Sequence, residues 1–176
     1  MNNDFYSEQL VTKASGGGDT AKKILAGIGT AAVAALVFLI TIILFPINLI
    51  LVGFVFYGGY YLMTGFDTEY EYIITNGDID IDKISGKRKR KRLLSAKIED
   101  FTAFGPLGEA PDTNGNVTTV LVTDGTEEGA YYADLKHPSA GNVRLIFTPG
   151  EKTLEGVTMF LPRQLKAEML KKKRSQ

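Results

Sequence analysis

The sequence contains no cysteine and only one histidine, His137, among its 176 residues. Without cysteine, neither a disulfide framework nor a thiolate metal site can form, and one histidine cannot supply a paired-histidine ligand set. His137 precedes a proline in a polar stretch, which is typical of a solvated loop side chain. The formal net charge is zero, so no bulk basicity favours nucleic-acid binding.

The distribution of charge is more informative, because no charged side chain occurs from Ile24 to Phe66. One helix of these 43 residues would measure about 64 Å, twice the roughly 30 Å thickness of the hydrocarbon core. Pro46 lies in the middle, lacks an N–H and disfavours helix in the residue before it. The run is therefore predicted to form a membrane hairpin within residues 20–66, with antiparallel helices over about 24–45 and 47–66.

Small and aromatic residues are distributed unevenly along this hairpin. Glycine and alanine near the start of the first helix, and glycine in the second, favour close helix packing over a conduction or ligand role. Tyr60 and Tyr61 lie where an aromatic belt at headgroup level is expected. Lys22 and Lys23 precede the first helix, further cations follow the second, and the turn at Pro46 has none. The positive-inside rule then predicts a multi-pass protein of the cell membrane with both termini in the cytoplasm.

Residues 1–19 are expected to form an N-terminal tail with a glycine-rich linker at 15–18. Within it, Phe5–Lys13 can form a short helix that lies on the membrane or docks on the soluble part, or it can remain a frayed tail. The sequence leaves these alternatives open.

Residues 67–176 have the pattern of a β-rich soluble domain that ends in a helix. Alternation on both sides of Asn76-Gly77 predicts a β-hairpin with one apolar face, made of Tyr72, Ile74, Ile79 and Ile81. Further strands are predicted over 117–123, 130–135 and 143–148, and helices over 151–161 and from Pro162 onward. The polar loop over 105–116 is expected to be mobile.

A second turn, Ser85-Gly86, precedes six consecutive cations: Lys87, Arg88, Lys89, Arg90, Lys91 and Arg92. A two-residue turn sets Asp82 opposite Lys89 and Asp80 opposite Lys91. A three-residue turn sets the same aspartates opposite Arg90 and Arg92. Two aspartates cannot neutralise six cations, so the surplus charge can contact anionic lipid or act only as a topology signal. These six residues are the candidate lipid-contacting site, and no catalytic, cofactor-binding or metal-binding residue is predicted.

Two stretches carry a resemblance, residues 72–77 (Tyr-Ile-Ile-Thr-Asn-Gly) and residues 94–98 (Leu-Ser-Ala-Lys-Ile). Over roughly Asp67–Phe104 the chain resembles bacterial pleckstrin-homology-like (PH-like) domains, which often accompany two-helix membrane hairpins. The whole layout is also similar to uncharacterised two-span bacterial membrane proteins. The resemblance implies a seven-stranded PH-like β-barrel capped by a C-terminal helix. The chain departs from the family in its long basic run and the polar loop after it.

These patterns predict a membrane-anchored, non-catalytic binding or scaffold module with its PH-like domain at the cytoplasmic face. The expected partners are the lipid bilayer, anionic headgroups, and a membrane protein or a second copy. No cofactor and no nucleic acid are expected. The sequence shows neither a nucleotide fingerprint nor a nucleophile elbow, so an enzyme is not indicated. The alternative is a structural or accessory subunit of a membrane protein assembly.

Overall fold

The computed structural model describes residues 4–14, 16–113 and 115–175. The chain begins with β1 (Tyr6–Thr12), α1 (Gly17–Thr41), α2 (Ile47–Thr64), β2 (Thr68–Thr75), β3 (Asp78–Ser85) and β4 (Lys89–Lys97). It continues with β5 (Phe101–Pro106), β6 (Thr118–Val122), β7 (Tyr131–His137), β8 (Gly141–Phe147), α3 (Glu151–Phe160) and α4 (Arg163–Ser175). Internal contacts divide these elements into a helical unit, residues 14–68 and 85–89, and a β-domain formed by the remaining described residues.

The helical unit is a hairpin that breaks where the sequence predicts. Helix α1 ends at Thr41, a 3-10 turn covers Ile42–Leu44, and Pro46 is the N-cap of α2. The two helices pack closely because Gly59 has no side chain. A Cβ atom at Gly59 would lie 2.8 Å from the Cβ of Thr30 and closer still to the other Thr30 side-chain atoms.

Both helices of this unit are long and apolar enough to cross a membrane. Over an apolar stretch of 18 residues in each helix, only 6% of the first and 11% of the second is buried inside the chain. A core helix of a soluble domain would be mostly buried, so these helices differ from that class of structure.

The N-terminal segment is a strand over Tyr6–Thr12, so both alternatives for Phe5–Lys13, a short helix and a frayed tail, are wrong. Strand β1 pairs antiparallel with β2, and its register sets Tyr6 opposite Thr75 and Thr12 opposite Glu69. Its burial alternates with period two, because Ser7 and Val11 face the interior while Leu10 is exposed. Pairing with β2 satisfies its backbone groups, which outweighs any local helical tendency.

Strands β1 to β4 form the first sheet in sequence order. The hairpin predicted at Asn76-Gly77 is present, and both turn residues have positive φ, 50° and 96°. The predicted apolar face is confirmed, since each of its four side chains is completely buried: Tyr72, Ile74, Ile79 and Ile81.

The second sheet has the order β5-β7-β8-β6, with β6 parallel to β8. The three strands predicted over 117–123, 130–135 and 143–148 are therefore present as β6, β7 and β8. The expectation of a closed barrel is not met among the described residues, because the eight strands form two separate four-stranded sheets. A 3-10 turn at Ile98–Asp100 connects β4, the last strand of the first sheet, to β5 in the second sheet.

Helices α3 and α4 occupy the positions predicted for them, separated at Pro162. Their apolar stripe enters the β-domain core, with Val157, Leu161 and Leu165 at most 9% exposed. The polar loop expected over 105–116 starts later than predicted, because β5 extends to Pro106. Arg144 then holds this loop by donating a 2.7 Å hydrogen bond to the carbonyl of Pro111.

Candidate functional site

The basic run starts in the turn between β3 and β4, which belongs to the helical unit. Gly86 and Lys87 both have positive φ, 59° and 57°, and the amide of Arg88 donates to the carbonyl of Ser85 at 3.2 Å. The Gly86 amide also donates to the carbonyl of Asp67 at 2.7 Å. These bonds hold the turn against the chain that leaves α2.

Arg88 fixes this turn to the C-terminal end of α2. Its guanidinium carbon lies 3.5 Å from the ring centroid of Tyr61, within the range of a cation–π interaction. The same guanidinium donates to the Tyr61 carbonyl at 3.3 Å and to the hydroxyl of Thr64. A cation at the end of a helix also complements the partial negative charge of the last carbonyl groups. Arg88 is thus held in place by uncharged groups of α2, which leave its positive charge unneutralised.

The other two arginines of the run cover the outer face of the first sheet. Arg92 contacts Asp80 at 2.6 Å and donates to Asp82, while Arg90 donates to Glu71 at 2.9 Å. Hydrogen bonding to Asp82 and the charge of Asp80 raise the pKa of Arg92. Glu71 and Asp82 are almost inaccessible beneath these side chains, so each buried carboxylate has a guanidinium partner.

Three residues separate β3 from β4, as in the three-residue alternative. Arg92 contacts both Asp80 and Asp82, whereas Arg90 lies 4.0 Å from Asp82. The partners of the aspartates are therefore arginines, as that alternative predicts, and not the lysines of the two-residue alternative. Strict alternation of lysine and arginine in the run explains why all the paired cations are arginines: side chains of alternate residues in a strand share one face.

The lysines of the run have a different environment. Lys87, Lys89 and Lys91 are exposed, and within the described part of the chain none of them forms an ion pair with a carboxylate. The structure thus divides the six predicted residues into three arginines held by protein groups and three lysines open to solvent.

A second basic cluster lies at the same end of the helical unit. Lys23 in α1 forms a 2.6 Å ion pair with Asp67, and Asp67 in turn accepts the Gly86 amide described above. Lys22 lies 3.7 Å from Asp19. All seven charged residues of this unit, five cations and two carboxylates, are therefore at the end opposite the Pro46 turn.

Sequence reasoning missed the part that Arg88, Tyr61 and Lys23 play in holding this end together. It placed Tyr61 in an aromatic belt and Lys23 among the topology charges. No sequence pattern indicated that Tyr61 would contact Arg88 or that Lys23 would pair with Asp67. The alternation of lysine and arginine was visible, and it could have separated the paired from the unpaired cations.

The β-domain also has an apolar recess of about 230 Å³ beside α4. Phe104 and Tyr131 stack there with ring centroids 5.4 Å apart, and Leu165 and Met169 of α4 also line the recess. His137 lies elsewhere, and its Nδ1 accepts the amide of Ser139 at 3.3 Å, as in a local turn. The described residues contain no cluster of three or more groups that could hold a metal ion.

A search of curated proteins found no significant match, and a search of solved structures found none either. The family described as Bacterial PH-like domain (DUF6106) matches residues 3–167, which includes strand β1, both apolar helices and the two sheets. That match covers almost the whole chain, so this protein belongs to the bacterial PH-like domain family.

Proposed function

We propose that the protein is a membrane-anchored, non-catalytic module, in which the hairpin inserts into the cell membrane and holds the PH-like domain at the cytoplasmic face. The observation that carries this proposal is the pairing of β1 with β2. These strands lie on either side of the hairpin in sequence, yet they belong to one sheet. An inserted hairpin must therefore return to the side from which it entered, with both termini on that side.

Charge supports the cytoplasmic side. The helical unit has an excess of cations at the end that holds the β3–β4 turn and no charge at the Pro46 end. Positively charged ends of membrane hairpins are retained in the cytoplasm. Tyr61 and Arg88 then lie at headgroup level, where an aromatic ring and a cation are both favourable.

We further propose that the open lysines of the basic run contact anionic headgroups of the inner leaflet. Each lysine near such a surface contributes about 1 kcal/mol, so Lys87, Lys89 and Lys91 together contribute about 3 kcal/mol. Arg90 and Arg92 contribute less because carboxylates already pair with them. Arg88 keeps its charge, but its guanidinium is already bound by Tyr61 and Thr64. Lipid contact therefore depends on the lysines, whereas the arginines maintain the structure.

The test uses the full-length protein reconstituted in vesicles of phosphatidylcholine and phosphatidylglycerol. Photoreactive analogues of the two lipids are cross-linked to it in parallel. We expect preferential cross-linking of the anionic analogue, and a loss of this preference when the three lysines are changed to glutamine. The preference should also fall as salt rises, because the Debye length shortens from about 10 Å at 0.1 M to about 3 Å at 1 M.

A control variant carries the same change of charge at three other exposed lysines, Lys136, Lys152 and Lys171. It should keep the preference for anionic lipid. Equal cross-linking of both analogues to the parent protein at low salt would reject lipid contact. The basic run would then serve topology and structure only, and the accessory-subunit alternative would become the leading one.

A further inference from the structure

We propose that the tip of the hairpin, residues 41–48, stays within the lipid of the far leaflet and forms no water-exposed loop on that side. This inference rests on the proposed function, because it presupposes an inserted hairpin. It goes further in naming the surroundings of the tip, which are acyl chains rather than water or a polar partner.

The exposure of the tip residues is the reverse of that in a soluble loop. Ile43 is 91% exposed and Phe45 71%, whereas the one amide side chain, Asn48, is 1% exposed. Three further apolar tip residues are more than half exposed: Ile42, Leu44 and Ile47. Loops in water present polar groups outward and shield apolar ones, so this arrangement fits an apolar environment.

The polar groups of the tip are directed inward as well. The hydroxyl of Thr41 donates to the carbonyl of Val37 at 2.6 Å, and the amide of Leu49 donates to the carbonyl of Pro46 at 3.2 Å. Pro46 itself has no N–H to satisfy. In lipid, polar groups must find partners within the protein. These contacts satisfy the Thr41 hydroxyl and the Pro46 carbonyl, while Asn48 Oδ1 is shielded by burial and has no hydrogen-bond partner among the described residues.

The length of the hairpin sets its depth. The uncharged part of α1, Ile24–Thr41, and the whole of α2, Ile47–Thr64, contain 18 residues each. At about 1.5 Å per residue each leg is about 27 Å long, just under the roughly 30 Å hydrocarbon core. Because the charged end is held at the inner headgroups, the tip reaches the far boundary of the hydrocarbon and does not pass beyond it. No lysine, arginine, aspartate or glutamate occurs there to draw it into water.

The absence of native cysteine allows a direct measurement on the full-length chain. A nitroxide spin label is attached at Ile43→Cys, and separately at Phe45→Cys, and the protein is reconstituted with its β-domain facing outward. Electron paramagnetic resonance then compares collisions with oxygen, which concentrates in lipid, and with a water-soluble nickel chelate. The matched control is Ser139→Cys, an exposed β-domain residue.

We expect labels at the tip to show strong oxygen collisions and a loss of chelate collisions, even with chelate on both sides of the membrane. Chelate collisions that appear only when the chelate is inside the vesicles would show that the tip emerges on the far side. That result overturns this inference but leaves the inserted hairpin intact. Chelate collisions as strong as at position 139, with chelate outside only, would show that the hairpin is not inserted and would reject both proposals.

Discussion

Two adjacent glycines in α2 allow the packing of the hairpin to be tested with a matched pair of variants. A Cβ atom at Gly59 would lie 2.8 Å from the Cβ of Thr30, whereas one at Gly58 would meet nothing within 4 Å. Both changes to alanine add the same methyl group to the same helix one residue apart. We therefore expect Gly59→Ala to destabilise the hairpin and Gly58→Ala to leave it unchanged or slightly more stable.

The size of the destabilisation depends on the position of Thr30 Cβ, the atom that the new Cβ atom at residue 59 would approach. Real Cβ atoms do not come within 3.0 Å of another carbon, and Thr30 Cβ is fixed to the backbone, so no side-chain rotation removes the overlap. The helices must separate or shift. Overpacking of this kind costs typically 1–3 kcal/mol, which exceeds the gain of up to 1 kcal/mol from replacing glycine by alanine in a helix.

The assay uses a cysteine pair at Gly27 and Met63, which face one another across the hairpin, since a Cβ atom at Gly27 would lie 4.0 Å from the Met63 sulfur. Cross-linking of this pair is followed as sodium dodecyl sulfate is added to mixed micelles. The midpoint of its loss should move to lower detergent for Gly59→Ala. Shortening Thr30 to alanine in the same chain should restore part of the shift.

The reasoning fails if Gly59→Ala and Gly58→Ala have the same midpoint. It also fails if Thr30→Ala gives no recovery, because that change removes Oγ1 and Cγ2, the two Thr30 atoms that the added Cβ atom approaches most closely.

Three further predictions concern the β-domain in the full-length protein. Gly156→Ala would make a Cβ atom overlap with Cε1 of the Phe5 ring and bring it to 2.7 Å from Cζ, so the melting temperature in mild detergent should fall. A rise would mean that Phe5 does not pack on α3. Replacing both Asp80 and Asp82 with asparagine should lower the free energy of unfolding, measured in urea, by about 1 kcal/mol, and by less at high salt. A loss of stability that does not depend on salt would argue against the ion pairs. Burial raises the pKa of Tyr72, so the folded state favours the neutral phenol. Tyr72→Phe should lower stability at pH 7, where a buried hydrogen bond is lost. This difference should shrink above about pH 10, where tyrosine in the unfolded chain ionises; a constant difference up to pH 11 would contradict the shift.

Local patterns predicted the elements of this fold well. Pro46 broke the apolar run, Asn76-Gly77 formed a hairpin, and Pro162 separated the last two helices, because each acts through the backbone of its immediate neighbours. Long-range pairing was not predictable in the same way. Nothing in the local sequence of β1 reveals that its partner is β2, on the other side of the hairpin.

The sequence predicted which residues form the candidate site, but not which of them bind protein groups and which stay open to solvent. The charge surplus of the basic run followed from counting, and the division into paired and open cations did not. Arg88 is bound because the β3–β4 turn lies at the end of α2, which is a tertiary contact. The prediction of a closed barrel was wrong for a related reason, since pairing between the edges of two sheets is also a tertiary contact.

The pairing of β1 with β2 also decides how the protein should be studied. A fragment that begins at residue 67 would lack an edge strand of the first sheet and would expose the backbone of β2. Experiments on the full-length chain avoid this loss.

The most direct test of the central claim is the side of the membrane on which β1 and the β-domain lie. Single cysteines are introduced at Thr12 and at Ser139, both exposed, and labelled with a membrane-impermeant maleimide. We predict that both positions react in inverted membrane vesicles and that neither reacts in intact cells. Labelling of either position in intact cells would contradict a hairpin that enters and leaves from the cytoplasmic side.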